Sequence, residues 1–165
     1  MYKTILYKEL SSTNDFALSN LAEFEDETVL IAEVQTNGHG RFKREWISDN
    51  PDNLYASIVL KPNLTSCYEN SISTLTQYLC VILSEVFEEY GLQPCIKWPN
   101  DILINNKKIS GILAQSSIKG DKLHGLVLGV GVNINMKREE LNKINQPATS
   151  LFVELGRKID KNEFS

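Results

Sequence analysis

The chain has 165 residues, 42% hydrophobic and 23% charged, enough for one domain with a real core and too short for two comfortable ones. A net charge of −4 with no cluster of Lys and Arg excludes a general nucleic-acid binder, since phosphate-backbone binding rests on clustered cations. No apolar run reaches membrane-spanning length and the N-terminus lacks the apolar stretch of a signal peptide, so a cytoplasmic protein without a membrane partner is expected. Cys67, Cys80 and Cys95 form no CxxC pair and suit a reducing compartment as free thiols, and His39 and His124 stand apart from any ligand-like cluster, so no transition-metal site is expected.

Residues 3–8 read as a first strand. Ser12 with Asp15 three positions on is a helix-start signal, and Leu18, Leu21 and Ala22 continue as a helical apolar stripe. Ser12-Thr13-Asn14 is a helix cap in its plainest reading, and a helix start also offers amides and hydroxyls to a polar ligand. Residues 28–35 form a buried, β-branched strand that runs into Thr36-Asn37-Gly38-His39-Gly40-Arg41-Phe42-Lys43-Arg44-Glu45-Trp46. Two glycines there permit close backbone approach and the cations suit phosphate, but the third glycine of a dinucleotide fingerprint is missing. Residues 54–60 alternate Leu54, Ala56, Ile58 and Leu60 against Tyr55, Ser57 and Val59 as a strand. Ile72, Leu75, Leu79, Ile82 and Val86 then mark the core face of a long helix over 71–90, with Gly91 placed to end it.

The stretch Lys97-Trp98-Pro99-Asn100-Asp101-Ile102-Leu103-Ile104 joins two short strands through a kinked corner, because Pro99 removes a donor, holds Trp98 extended and is followed by the turn-former pair Asn100-Asp101. Such a corner presents Lys97 and Asp101 side by side; alone, it is as readily a solvated surface turn. Asn105-Asn106 is a hairpin signal, 107–114 a strand with Lys108 near its start, 119–121 a turn and 123–133 another strand. Gly129 and Gly131 inside that strand mark either a bulge or a place where something approaches the backbone closely. A short helix over 137–144 and another over 149–155, stopped by Gly156, follow. Asp160-Lys161-Asn162-Glu163-Phe164-Ser165 looks like the beginning of a helix, so a domain cut short relative to its design is expected. No internal repeat or linker is visible.

Taken together, Ser12-Thr13-Asn14, the Gln35 to Trp46 loop with Gly38-His39-Gly40-Arg41 and Arg44, Lys97-Trp98-Pro99-Asn100-Asp101, Lys108-Ile109-Ser110-Gly111 and Gly129-x-Gly131-x-Asn133 resemble biotin protein ligases in order and approximate spacing. The resemblance implies an α+β fold, a mixed, largely antiparallel sheet packed against helices, related to class II aminoacyl-tRNA synthetases and lipoate ligases. It implies one catalytic domain over 1–165, without the N-terminal DNA-binding domain or the C-terminal β-domain found in family members. The implied reaction joins biotin to ATP as biotinyl-5′-AMP and passes biotin to a lysine of a biotin carboxyl carrier domain. ATP brings Mg²⁺, held mainly by its phosphates.

The same resemblance assigns biotin to Ser12, Thr13, Asn14, Gln35, Gly38, Gly40, Arg41, Lys97 and Gly111. It assigns ATP to His39, Arg41, Arg44, Trp46, Asn100, Lys108 and Asn133. Lys97, Arg41 and Asp101 carry the chemistry: Lys97 bridges the carboxylate and the α-phosphate, Arg41 closes the loop over the intermediate, and Asp101 receives the acceptor ammonium. His39 stands where many members place Arg or Lys, and Phe42-Lys43 where small residues or glycine are common, both bearing on loop closure. A homodimer is compatible with this reading. The alternatives are a lipoate or octanoate ligase or transferase of the same fold, although the Arg-rich triple-glycine stretch followed by His-Asp is missing, and a biotin- or adenylate-binding protein that does not complete transfer.

Overall fold

Short apolar runs separated by Gly, Asn and Asp turns favour strands over most of the chain. The computed structural model, which describes residues 3–61, 68–120 and 122–161, joins them into one seven-stranded sheet. In chain order the elements are β1 (Thr4–Leu10), α1 (Thr13–Ser19), β2 (Val29–Gln35), β3 (Leu54–Leu60), α2 (Tyr68–Glu89), β4 (Pro94–Lys97), β5 (Asp101–Ile104), β6 (Lys107–Lys119), β7 (Lys122–Val132), α3 (Arg138–Leu141) and α4 (Leu151–Leu155). The strand order is β1-β2-β3-β7-β6-β5-β4, with β1 and β2 parallel and every other neighbouring pair antiparallel. This is the expected α+β fold.

Both faces of the sheet are covered at its centre, so the alternation in β3 feeds two cores rather than one. Leu54 and Ala56 join Cys80, Leu83 and Phe87 of α2 with Ile102, Ile104, Ile112, Val130 and Val132. On the opposite face Val59 packs with Ala17, Leu21, Phe24, Leu30 and Val127 beneath α1. The Asn105-Asn106 turn has both residues at positive φ, 50° and 61°, the geometry of a tight two-residue hairpin that asparagine tolerates.

Four local expectations need correction. The buried face of α2 is Thr76, Cys80, Leu83, Ser84 and Phe87, while Ile82, given to the core by its spacing, is exposed along with Tyr78 and Val81. This helix carries apolar residues on several sides, so spacing alone does not fix its rotation about its axis. The first helix ends at Ser19, and a 3₁₀ turn, Leu21–Glu23, buries Leu21 but turns Ala22 to solvent. β6 runs to Lys119 rather than stopping at 114, with a register shift between Ser117 and Ile118. The helix expected over 137–144 shortens to α3. Asp121 of the expected 119–121 turn, Cys67, and the expected terminal helix beyond Lys161 lie outside the described residues. Burial, with a smaller contribution from the Asp101 charge, pushes the Cys80 thiol up to about 11, so it stays a neutral core group at ordinary pH.

Phe87 is fully buried at the meeting of α2 with β5, β6 and β7, so Phe87→Ala should destabilise the fold by about 3–5 kcal/mol in urea unfolding. A loss under about 1 kcal/mol would mean that α2 is not seated as described.

Candidate active site

Strand register decides what shares a face. Lys97 is opposite Asp101, Asp101 opposite Gly111, Gly111 opposite Gly131, and Gly131 opposite Tyr55, forming one row across β4, β5, β6, β7 and β3. Directly opposed residues project to the same side, so the strand corner aims Lys97 and Asp101 over two positions without side chains. A second row on that face runs Leu113, Gly129, Ser57. The start of α1 and the loop after β2 lie over this bare patch.

The patch is bare because the chain's own side chains lie against it. A Cβ at Gly129 would stand 2.3 Å from Asn14 Oδ1, and one at Gly131 would stand 2.6 Å from the Trp46 ring. The ladder keeps its register through both glycines, which settles bulge against close approach in favour of close approach. Trp46 also lies over Gly111, and the Lys108 ammonium sits 5.1 Å from the Trp46 ring centre.

Between these parts is a cavity of about 250 Å³. Its wall includes Ser12, Thr13 and Asn14 from the start of α1, Gln35 from the end of β2, and His39, Gly40, Arg41, Arg44 and Trp46 from the loop. Lys97, Asn100 and Asp101 from the corner and Lys108 and Gly111 from β6 complete the anticipated set. Two anticipated residues fall outside it. Gly38 is packed behind the wall, where a Cβ would meet Ser48 Oγ at 2.3 Å. Asn133 is buried behind Lys108 and Trp46 against an adjoining cavity of about 20 Å³, and its amide donates to the Thr149 carbonyl at 3.0 Å.

One end of the cavity is polar and tightly networked. Ser12 caps α1 by accepting from the Asp15 amide at 3.3 Å. Thr13 donates its backbone amide at 2.8 Å and its hydroxyl at 3.1 Å to Gln35 Oε1, and Gln35 Nε2 donates to Ser48 Oγ at 3.0 Å. Asn14 Nδ2 donates to the Leu113 carbonyl and to Gln115 Oε1. Ser48, Ser57 and Gln115 were not anticipated from sequence. For Ser57 alone the available signal was a serine at an inward position of an otherwise apolar strand, since a buried hydroxyl there has to find partners.

The other end is cationic. The loop folds on itself as a small hairpin, with Gly40 bonded to the Arg44 carbonyl and Trp46 to the Gly38 carbonyl. At its tip Phe42 and Lys43 have φ of 58° and 57°, the left-handed region where glycine is comfortable and other residues lose about 1 kcal/mol or more each. The departure from small residues thus falls where the backbone strains. Arg41 rests over the Phe42 ring at 5.2 Å, and Phe42 is 81% exposed. His39 Nδ1 lies 3.2 Å from the Asn37 carbonyl, leaving Nε2 between Lys43 Nζ at 3.4 Å and Asp15 Oδ1 at 3.6 Å. When protonated, His39 pairs the loop with α1 through Asp15.

The corner turns through a cis Trp98–Pro99 peptide and is tied to β6 by Asn100, whose side chain donates to the Ile112 carbonyl at 2.9 Å. The Asn100 amide thus holds the corner. Asp101 and Lys108, read separately from sequence, form an ion pair at 2.8 Å with both side chains largely buried. Lys97 is left as an exposed cation at the cavity's edge, beside Trp98 at 73% exposure.

If Trp46 needs a bare sheet, Gly131→Ala should push the ring outward and destabilise the fold by about 1–3 kcal/mol. In a Trp98→Phe background this reads as a red-shifted Trp46 emission; an unshifted spectrum would contradict the contact.

A profile of the Biotin/lipoate A/B protein ligase family matches residues 6–133. The chain is 31% identical over 162 residues to the Bifunctional ligase/repressor BirA of Bacillus subtilis, covering 98% of this chain and 48% of that protein. It is 29% identical over 161 residues to the Biotin--[acetyl-CoA-carboxylase] ligase of Paracoccus denitrificans, covering 93% and 64%. Among solved structures, the biotin protein ligase from Aquifex aeolicus in complex with biotin and ATP superposes with a TM-score of 0.80 at 32% identity, over 98% of this chain and 64% of that one. The chain therefore spans about half to two thirds of the length of these relatives, and over that span its sequence and fold agree: it belongs to the Biotin/lipoate A/B protein ligase family.

Proposed function

We propose that this chain activates biotin with ATP to biotinyl-5′-AMP and transfers biotin to a lysine of a biotin carboxyl carrier domain. The observation that carries the reading is a single cavity with a hydrogen-bonding end suited to a cyclic urea and a cationic end suited to a carboxylate beside a phosphate. At the first end, the Ser12 hydroxyl and the second Gln35 N–H are free to donate to a urea carbonyl, and Thr13 Oγ1 to accept from a ring N–H. A site built on such donors and acceptors rejects an analogue that leaves them unpaired. A relative solved with biotin and ATP bound supports the same ligands.

In the first step a carboxylate oxygen attacks the α-phosphorus, an O–P bond forms, and the bond to the bridging oxygen breaks so that pyrophosphate leaves. Two anions have to meet, and we assign to Lys97 the charge placed between them. Arg41 and Arg44 close over the mixed anhydride from the loop, and Trp46 offers its face to the nucleotide base. Losing one fixed donor at developing charge costs about 10²–10³ in rate. Magnesium enters this reading with ATP and is assigned mainly to the nucleotide's phosphates.

In the second step a neutral lysine amine attacks the acyl carbon and AMP leaves. Asp101 is the carboxylate placed to take the ammonium proton, and for that its pair with Lys108 has to open. Nucleotide phosphate is the natural competitor for Lys108, so the two steps are ordered by one lysine changing partners. No helix among the described residues is long and apolar enough to cross a membrane, and a cytoplasmic site of action accords with ATP as a substrate.

Lys97→Ala should reduce biotin-dependent exchange of pyrophosphate into ATP by about 10²-fold or more while calorimetric biotin affinity changes little. Undiminished exchange would remove Lys97 from the chemistry, and exchange driven by lipoate but not biotin would overturn the substrate.

A further inference from the structure

Ser57 sits at the middle of β3, fully buried and behind the cavity wall rather than in it. Its hydroxyl oxygen is 2.7 Å from Thr13 Oγ1 and 2.6 Å from Asn14 Oδ1. A hydroxyl carries one proton, so only one of these oxygens receives it. Asn14 Oδ1 is a carbonyl oxygen that can only accept. Its amide is held in that orientation because Nδ2 donates to the Leu113 carbonyl at 3.1 Å and to Gln115 Oε1 at 2.8 Å.

The Ser57 proton therefore belongs to Asn14. Thr13 then has its own proton to place, and the two protein oxygens in reach, Ser57 Oγ at 2.7 Å and Gln35 Oε1 at 3.1 Å, both accept it. Ser57 Oγ is the nearer and lies behind the wall, and a 2.7 Å contact between two oxygens needs a proton between them, so the Thr13 proton turns to Ser57 and leaves a lone pair for the cavity. The arrangement is a chain of hydroxyls and amides whose donor–acceptor sense is fixed from the back.

We propose that Ser57 is a positioning residue for substrate selection: by committing its proton to Asn14 and its lone pair to Thr13, it fixes Thr13 as an acceptor, so the closed end takes a headgroup bearing a ring N–H. This rests on the biotin reading above and extends it to a residue that never touches the ligand. The neighbouring geometry agrees. Gly129 lies directly opposite Ser57 in the ladder, and its missing side chain is what lets Asn14 come down onto Ser57.

The test is calorimetry with biotin and with desthiobiotin, which keeps the urea ring, on the parent, Ser57→Ala and Ser57→Cys, alongside the kinetics of adenylate formation. Ser57→Ala should weaken both ligands by about tenfold, the effect of one hydrogen bond left unmade. The rate at saturating biotin and the KM for ATP should stay within about twofold, because the reacting end lies at Lys97. Ser57→Cys, a weak donor of similar size, should fall between and carries the test if the alanine variant does not fold. Parent-like biotin affinity in the folded variants would overturn the proposal, as would parallel losses in rate and ATP KM, which would make Ser57 a general prop. A parent that binds no biotin would remove the underlying reading, and this inference with it.

Discussion

The site depends on an absence of side chains at the centre of the sheet. Gly111 and Gly131 face each other on β6 and β7, with Gly129 one same-face step away, and polar and aromatic groups from two other segments come down onto them. Any Cβ at 129 or 131 would overlap Asn14 or Trp46 by about an ångström relative to ordinary contact. Since the same row continues into Asp101 and Lys97, the positions that admit the helix start and the loop also set where the corner's charges point. Packing and electrostatics are thus one constraint, imposed by register.

The charges around the cavity are partly spent on each other. Lys108 is held by Asp101 and lies over Trp46, Arg41 lies over Phe42, and His39 stands between Lys43 and Asp15. The Arg41–Phe42 contact is exposed and the His39 contacts are long, so in the proposed reaction phosphates would compete with them at modest cost. The two consecutive left-handed residues at the loop tip add stored strain where the loop would change shape to close. The buried Asp101–Lys108 pair differs. Removing one partner strands the other charge in a low-dielectric wall, so exchange of partners is favoured over simple separation.

The legible parts were those set by local chemistry. β3 matched its expected bounds because a seven-residue alternating run leaves little choice, and the Asn105-Asn106 hairpin followed from residues that tolerate positive φ. The side-by-side placement of Lys97 and Asp101 came from a corner of three residues, Trp98 to Asn100. Properties set by tertiary register were hidden. The Asp101–Lys108 pair needs the β5–β6 ladder, the rotation of α2 needs its partners, and the burial of Asn133 against Thr149 depends on the segment that carries α4. Ser57 was visible only as a polar residue out of place in a buried strand; its partners are 43 and 44 positions away. Family resemblance supplied most site residues, but it gave no account of which were free to meet a ligand and which were already committed within the protein.

The most direct test of the bare patch is biotin affinity in Gly129→Ala, checked for an intact fold by circular dichroism. A methyl group 2.3 Å from Asn14 Oδ1 has to lift the helix start off the sheet, and the predicted result is a loss of at least about tenfold in biotin affinity in a folded protein. Parent-like affinity in that variant would show that the polar end does not need the glycine beneath it and would contradict the account.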